Sequence, residues 1–213
     1  MLAGRGTPSA PQSHRVTGGD RDVLQLKMEQ VSFSAMDGGT KADFELLDRT
    51  EAEFVRQLPA RLLAALDGLK SSFAGYQVSR YEHSLQSATR AQRDGRSEEY
   101  VAAALLHDIG DELAPYTHGE MVAAIMRPYI SPEICWIVEH HGLFQQFHYG
   151  EVTGDDPNAR DVYRDHPSFD ACAEFCALYD QNCFDPDFES DPIESFKPTV
   201  EKVFSAPRYL TAQ

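Results

Sequence analysis

The chain has 213 residues, 34 acidic side chains against 19 basic ones and a formal net charge of −15. That field repels nucleic-acid backbones and anionic lipid surfaces, so neither nucleic acid nor membrane is expected as a partner. The length suits one domain with an appended N-terminal segment, no apolar run approaches the roughly 18–20 residues of a membrane span and no secretory signal pattern opens the chain, so a cytoplasmic monomer or homodimer is expected.

Residues 1–22, rich in Gly, Ser, Pro, Thr and Arg, carry no apolar period and are expected to be disordered or weakly ordered. Residues 23–72 are expected to form an N-terminal helical extension, with Met36–Thr40 as a turn and Asp43–Leu69 as helix interrupted near Pro59. The main domain is placed at 73–213. Its first helix runs from Tyr81 to a stop at Asp94-Gly95, and a second opens at Ser97-Glu98-Glu99 and reaches His107-Asp108 before Gly110. A third covers His118 to Arg127. A fourth starts at Ser131-Pro132, with Ser at the N-cap and Pro at the first helical position, and runs into His140-His141. Gly150 to Pro167 reads as a loop or lid, and Phe169 to Tyr179 as a last helix ending at Asp180. No strand-like alternation is present, so the fold class is all-α, a helical bundle.

Cys135, Cys172, Cys176 and Cys183 show neither zinc-ribbon spacing nor disulfide-scaffold density and are expected to be reduced, packed thiols. The chemistry lies elsewhere. His107-Asp108 follows the apolar run Ala102 to Leu106, which must be buried, and a buried ionised carboxylate needs a cation partner. Successive residues on a helix splay by about a hundred degrees, so both can serve one site only where the helix ends. His83, His118, His140 and Asp180 lie on other predicted helices, and inward-facing His and carboxylate groups from several helices can assemble a dinuclear metal site.

The order His83, His107-Asp108, Asp180 resembles the H…HD…D signature of the HD superfamily, and His118 and His140 resemble the extra histidines of its dinuclear members. The resemblance extends from about Phe73 to Phe204. The stretches Glu82 to Ala88, Ala103 to Gly110 and Tyr179 to Gln181 are most similar to the mixed-valence di-iron oxygenases, a branch that includes myo-inositol oxygenase and organophosphonate-cleaving oxygenases. That resemblance implies two Fe ions as Fe(II)/Fe(III), one on His83, His107 and Asp180, the other on His118 and His140, with Asp108 bridging. Either His140 or His141 can be the ligand; the position after Ile137 favours His140 and leaves His141 for outer support or substrate. Asp108, Asp111 and His141 are the candidate catalytic residues, and Glu82, Glu120 and Glu139 are candidates to support the ligands.

Where the branch carries basic side chains for its substrates, this chain has Asp111, the uncharged run Gly142 to Phe147, and Asn182 to Phe184. Where it carries a Tyr–Glu gate, this chain reads Phe73-Ala74-Gly75-Tyr76. Tyr76, Tyr81, Asp111, Tyr116, His141, Phe144 and His148 are the candidate substrate residues, an acidic and aromatic set suited to a cationic or amine-bearing molecule. The expected function is a dioxygen-dependent oxygenase acting on a small polar metabolite by C–C or C–P cleavage or hydroxylation. The competing reading is a phosphohydrolase acting on a phosphate ester or nucleotide with Mn, Zn or Mg, and the third is a non-catalytic metal-binding or regulatory domain.

Overall fold

The computed structural model describes residues 29–209, so the expectation for 1–22 lies outside the described residues. Two compact units divide the chain, one ending at Arg49 and the other beginning at Thr50, and α1 (Lys41–Arg56) contains the boundary. In the first unit the carboxylate of Asp43 accepts from the backbone N–H and hydroxyl of both Ser32 and Thr40, at 2.6–3.0 Å, while Thr40 Oγ1 accepts from Asp43 N. These exchanges satisfy orphan donors at the start of α1.

The second unit is an all-helical bundle: α2 (Leu58–Gly68), α3 (Arg80–Arg93), α4 (Glu98–Leu106), α5 (His118–Met126), α6 (Pro132–Thr153), α7 (Phe169–Phe175) and α8 (Ile193–Val203). No strand occurs among the described residues. The break between α1 and α2 falls at Gln57, with Pro59 inside the first turn of α2, where its missing N–H costs nothing. At the centre is α4, whose residues Tyr100 to Leu106 are all buried. A helix apolar all round must be enclosed, and α3, α6 and α8 pack against it. Ser131, the N-cap of α6, donates its backbone N–H to Glu99 Oε2 at 2.8 Å, which ties the starts of α4 and α6 together.

The stretch expected as a loop from Gly150 to Pro167 contains two helical pieces. α6 continues to Thr153 and stops at Gly154, whose φ of 87° suits glycine as the helix terminator. A 3-10 helix then occupies Ala159–Tyr163. Gly150 reads as a helix stop in sequence, but it is buried in α6, and a Cβ there would stand 3.1 Å from Pro157. Its smallness lets the returning chain close on the helix.

The N-terminus of α3 is fixed by a reciprocal cap. Ser79 Oγ accepts from Glu82 N at 3.1 Å, and Glu82 Oε2 accepts from Ser79 N at 2.7 Å. Since this turn presents Arg80 and His83, Ser79→Ala is expected to lower stability by about 1 kcal/mol, measurable as a lower urea midpoint at unchanged slope.

Candidate metal centre

Five segments of the second unit converge on one buried cluster. His83 comes from α3, His107 and Asp108 from the turn after α4, His118 and His141 from α5 and α6, and Asp180 from the chain after α7. The helix ends at Leu106, and that ending lets adjacent His107 and Asp108 face the same centre. Asp180 arrives through a single π turn, Cys176–Asp180, in which Gln181 N reaches back five residues to Cys176 O at 3.0 Å. Such turns recur where a helix must re-aim a functional side chain.

The donor atoms fall into two groups that share Asp108. Around its Oδ2 lie His83 Nε2 at 3.2 Å and His107 Nε2 at 3.1 Å, with Asp180 Oδ1 3.4 Å from His83 Nε2. Around its Oδ1 lie His118 Nε2 at 3.5 Å and His141 Nε2 at 3.4 Å, themselves 3.1 Å apart. Asp108 Oδ1 and Asp180 Oδ2 are buried and hydrogen-bond to nothing among the described residues. Buried carboxylate oxygens without a hydrogen-bond partner, on carboxylates that face imidazole nitrogens, fit a divalent or trivalent cation, which would offset their desolvation.

His141, rather than His140, faces the cluster. One residue along α6 is a rotation of about a hundred degrees, which turns His140 outward: its Nδ1 lies 2.9 Å from Trp136 O, and its ring stacks on Trp136 with centroids 4.2 Å apart. Three histidines are oriented through Nδ1 by backbone carbonyls, His83 by Cys183 at 3.1 Å, His107 by Ala104 at 2.8 Å and His141 by Val138 at 2.7 Å. The three glutamates named from sequence do not fill this role. Glu82 caps α3, Glu120 is exposed and Glu139 faces Arg127 at 3.8 Å.

The Arg80 side chain, 11% exposed, lies against the cluster. Its Nη2 donates to Asp108 Oδ2 at 2.6 Å and its Nε to Asp111 Oδ2 at 2.8 Å. Asp111 is therefore taken by an internal cation and is not a free receptor for a substrate cation. Arg80 precedes His83 by one helical turn, so the i, i+3 relation places both on one face of α3; that relation was the available signal. Gln145, likewise one turn after His141, donates Nε2 to Asp180 Oδ1 at 2.9 Å.

A cavity of about 260 Å³ opens on the cluster, lined by Phe73, Tyr76, Arg80, Asp111, Gln145 and Tyr149 beside the ligand residues Asp108, His118 and His141. Tyr76 stacks on Phe184, which stacks on the His83 ring. Of the other expected substrate residues, Tyr116 is 98% exposed and borders a neighbouring cavity. Phe144 is fully buried against Trp136 and Phe169, His148 lines a separate surface pocket, and Tyr81 lies under Lys70. Phe144 and His148 follow His141 by three and seven positions on the same side of α6, but the Phe144 ring is taken up by Trp136 and Phe169 and His148 lies two turns further along the helix.

The electrostatics are uneven. Burial opposes a charge on His107, but Asp108 and Asp180 outweigh it and push the imidazole up to about 10. His83 moves upward for the same reasons. Burial lowers His118 below the ordinary histidine range despite the pull of Asp108. Burial also works against ionised Asp108 and Asp180, yet Arg80 and His107 for the first, and His107 and His83 for the second, hold both well below the usual carboxylate range. A histidine ligand must be neutral, so a metal entering beside His107 displaces a proton. His107 binds that proton more tightly in the fold than free in solution, so the stabilisation it gives the metal-free protein is full below about pH 6.5 and lost as pH rises through about 10. Metal affinity runs the other way and climbs across the same window. Adding Zn(II) to metal-free protein in weak buffer with an indicator dye is expected to release protons at neutral pH and progressively fewer as pH approaches that value.

Residues 80–164 match the family model described as HD domain. No curated protein matches the chain. The matched segment carries six of the seven residues grouped at this centre, His83, His107, Asp108, Asp111, His118 and His141, while Asp180 lies beyond it. Among the described residues the second unit is thus an all-α bundle, with residues 80–164 matching the HD domain model and with His and Asp side chains grouped so that they can hold metal ions. No helix among the described residues is long and apolar enough to cross a membrane.

Proposed function

We propose that this HD-domain chain is a di-iron, dioxygen-dependent oxygenase acting on a small polar metabolite, by C–C or C–P cleavage or by hydroxylation. The observation that carries the reading is the grouping of His118 and His141 with Asp108 at the cavity wall. Two imidazoles and one carboxylate with open positions are the donor set suited to iron that must take up dioxygen. On this reading one iron is held by His83, His107, Asp108 and Asp180, and the other by Asp108, His118 and His141.

Bound as a mixed-valence pair, the irons would supply dioxygen activation and a Lewis-acidic seat for a substrate hydroxyl. The side chains do the positioning. Gln145 steadies Asp180, Arg80 steadies Asp108, and Phe73, Tyr76 and Tyr149 wall the cavity against bulk water. At about 260 Å³ the cavity lies just below the usual range of ligand pockets, ~300–1,000 Å³, a size that suits a small metabolite.

A phosphohydrolase using Mn, Zn or Mg would employ the same ligands but needs free cations for the phosphate. Of the nearby arginines, Arg80 is taken by two carboxylates and Arg90 donates Nη2 to Asn182 O over the Phe188 ring, while Arg127 is an exposed side chain 3.8 Å from Glu139. That favours the oxygenase. The deciding experiment is electron paramagnetic resonance on protein loaded with Fe(II) without oxygen and then partly oxidised. A coupled Fe(II)/Fe(III) signal that shifts with small polyols, hydroxy acids or phosphonates, together with oxygen uptake, is expected. Phosphate release supported by Mn(II), Zn(II) or Mg(II) without oxygen uptake would move the assignment to the hydrolase.

A further inference from the structure

We infer that Arg80 and Asp111 form a positioning pair for the second metal site, with Asp111 orienting His118 as backbone carbonyls orient the other three histidines. The inference rests on the two-site reading of the cluster, but on neither iron nor oxygenase chemistry. His83, His107 and His141 each have Nδ1 within 3.1 Å of a carbonyl oxygen, and their side chains are at most 3% exposed. His118 differs on both counts. Its side chain is 22% exposed, and the group facing its Nδ1 is Asp111 Oδ1, at 3.5 Å.

Asp111 is itself held. Its other oxygen, Oδ2, accepts from Arg80 Nε at 2.8 Å, and the carboxylate is only 9% exposed. The same guanidinium donates from Nη2 to Asp108, the carboxylate common to both sites. One buried cation thus fixes, in a single frame, the shared carboxylate and the acceptor behind His118. Aromatic rings hold the guanidinium in turn: Phe73, Tyr76 and Phe184 lie 5.8–6.0 Å from its centre. A carboxylate behind Nδ1–H fixes the tautomer that leaves Nε2 free for metal and makes that nitrogen a stronger donor. One of the second site's two histidines, His118, therefore depends on a side-chain pair, whereas His141 and both histidines of the first site are oriented by the backbone.

The test is a Co(II) titration of the metal-free full chain without oxygen, followed by visible absorption. Wild type is expected to take up two equivalents. In Asp111→Asn the second equivalent should weaken by about 10- to 100-fold while the first keeps its wild-type affinity, and Asp111→Glu should recover part of the loss. Arg80→Gln should also weaken the second equivalent, because Asp111 is then free to turn away. A merely structural role would lower the unfolding temperature of the metal-free protein without changing the ratio of the two affinities. Wild-type affinity for both equivalents in Asp111→Asn, or an equal loss of both, would overturn the inference. Uptake of a single equivalent by wild type would instead overturn the two-site reading beneath it.

Discussion

His141→Ala is expected to lower bound metal from two equivalents to one, while His140→Ala keeps both. The two residues are neighbours on α6 and chemically identical, so only helical phase separates their roles. His141 is buried, with Nε2 between Asp108 Oδ1 and His118 Nε2. Its removal leaves the second site with one imidazole and a shared carboxylate, too few donors to hold iron against water. His83, His107 and Asp180 are untouched, so the first equivalent stays. His140 has its ring between Trp136 and Tyr163, and its loss costs aromatic packing of about 1 kcal/mol. Metal analysis after gel filtration, paired with thermal unfolding, reads both effects. Retention of two equivalents in His141→Ala, with one lost in His140→Ala, would require α6 to sit one residue out of phase.

The same comparison shows how far the sequence could be read. The all-α class, the helix starts at Ser97 and Ser131 and the burial of Ala102 to Leu106 were legible, because caps and apolar runs are local signals. The set His83, His107, Asp108, His118 and Asp180 could be named as residues that belong together because their order resembles the H…HD…D signature with its extra histidines. The choice of His140 over His141 misread the helical phase: Ile134, Ile137 and Val138 are buried on one side of α6, and His141, seven, four and three positions further on, continues that stripe. Arg80 was missed for a different reason. Its burial follows from the approach of Asp108 and Asp111, 28 and 31 residues away, and composition alone makes any arginine a surface residue. The acidic mouth read at Asp111 changed meaning with it, since a carboxylate bonded to a buried guanidinium offers no net charge to a substrate. The π turn was illegible as well: Cys176 to Tyr179 fit an ordinary helix, and the widening that aims Asp180 inward comes from packing against α3 and α6.

Gly119→Ala is expected to cost about 1–3 kcal/mol and to remove the second metal equivalent selectively. Immediately after His118, α5 crosses α6 so closely that a Cβ on residue 119 would stand 2.7 Å from Val138 O and 3.0 Å from Glu139 O. Both neighbours are backbone, and Val138 O also lies 2.7 Å from His141 Nδ1. Neither helix can yield by rotating a side chain, so α5 must move away from α6. The 3.1 Å approach of His118 to His141 then opens, and the carbonyl that orients His141 is disturbed in the same step. The first site, assembled from α3, the turn after α4 and the π turn, does not share this contact. Gly142→Ala is the control. Its added Cβ would meet His118 Cε1 at 3.8 Å, an ordinary van der Waals distance, and alanine is the better helix former by about 1 kcal/mol. Co(II) titration and thermal unfolding of both variants should show Gly119→Ala losing the second equivalent and stability together, with Gly142→Ala at or above wild-type stability and both equivalents bound. If Gly119→Ala binds both equivalents with wild-type affinity, the close crossing of α5 and α6 is not what brings His118 to His141.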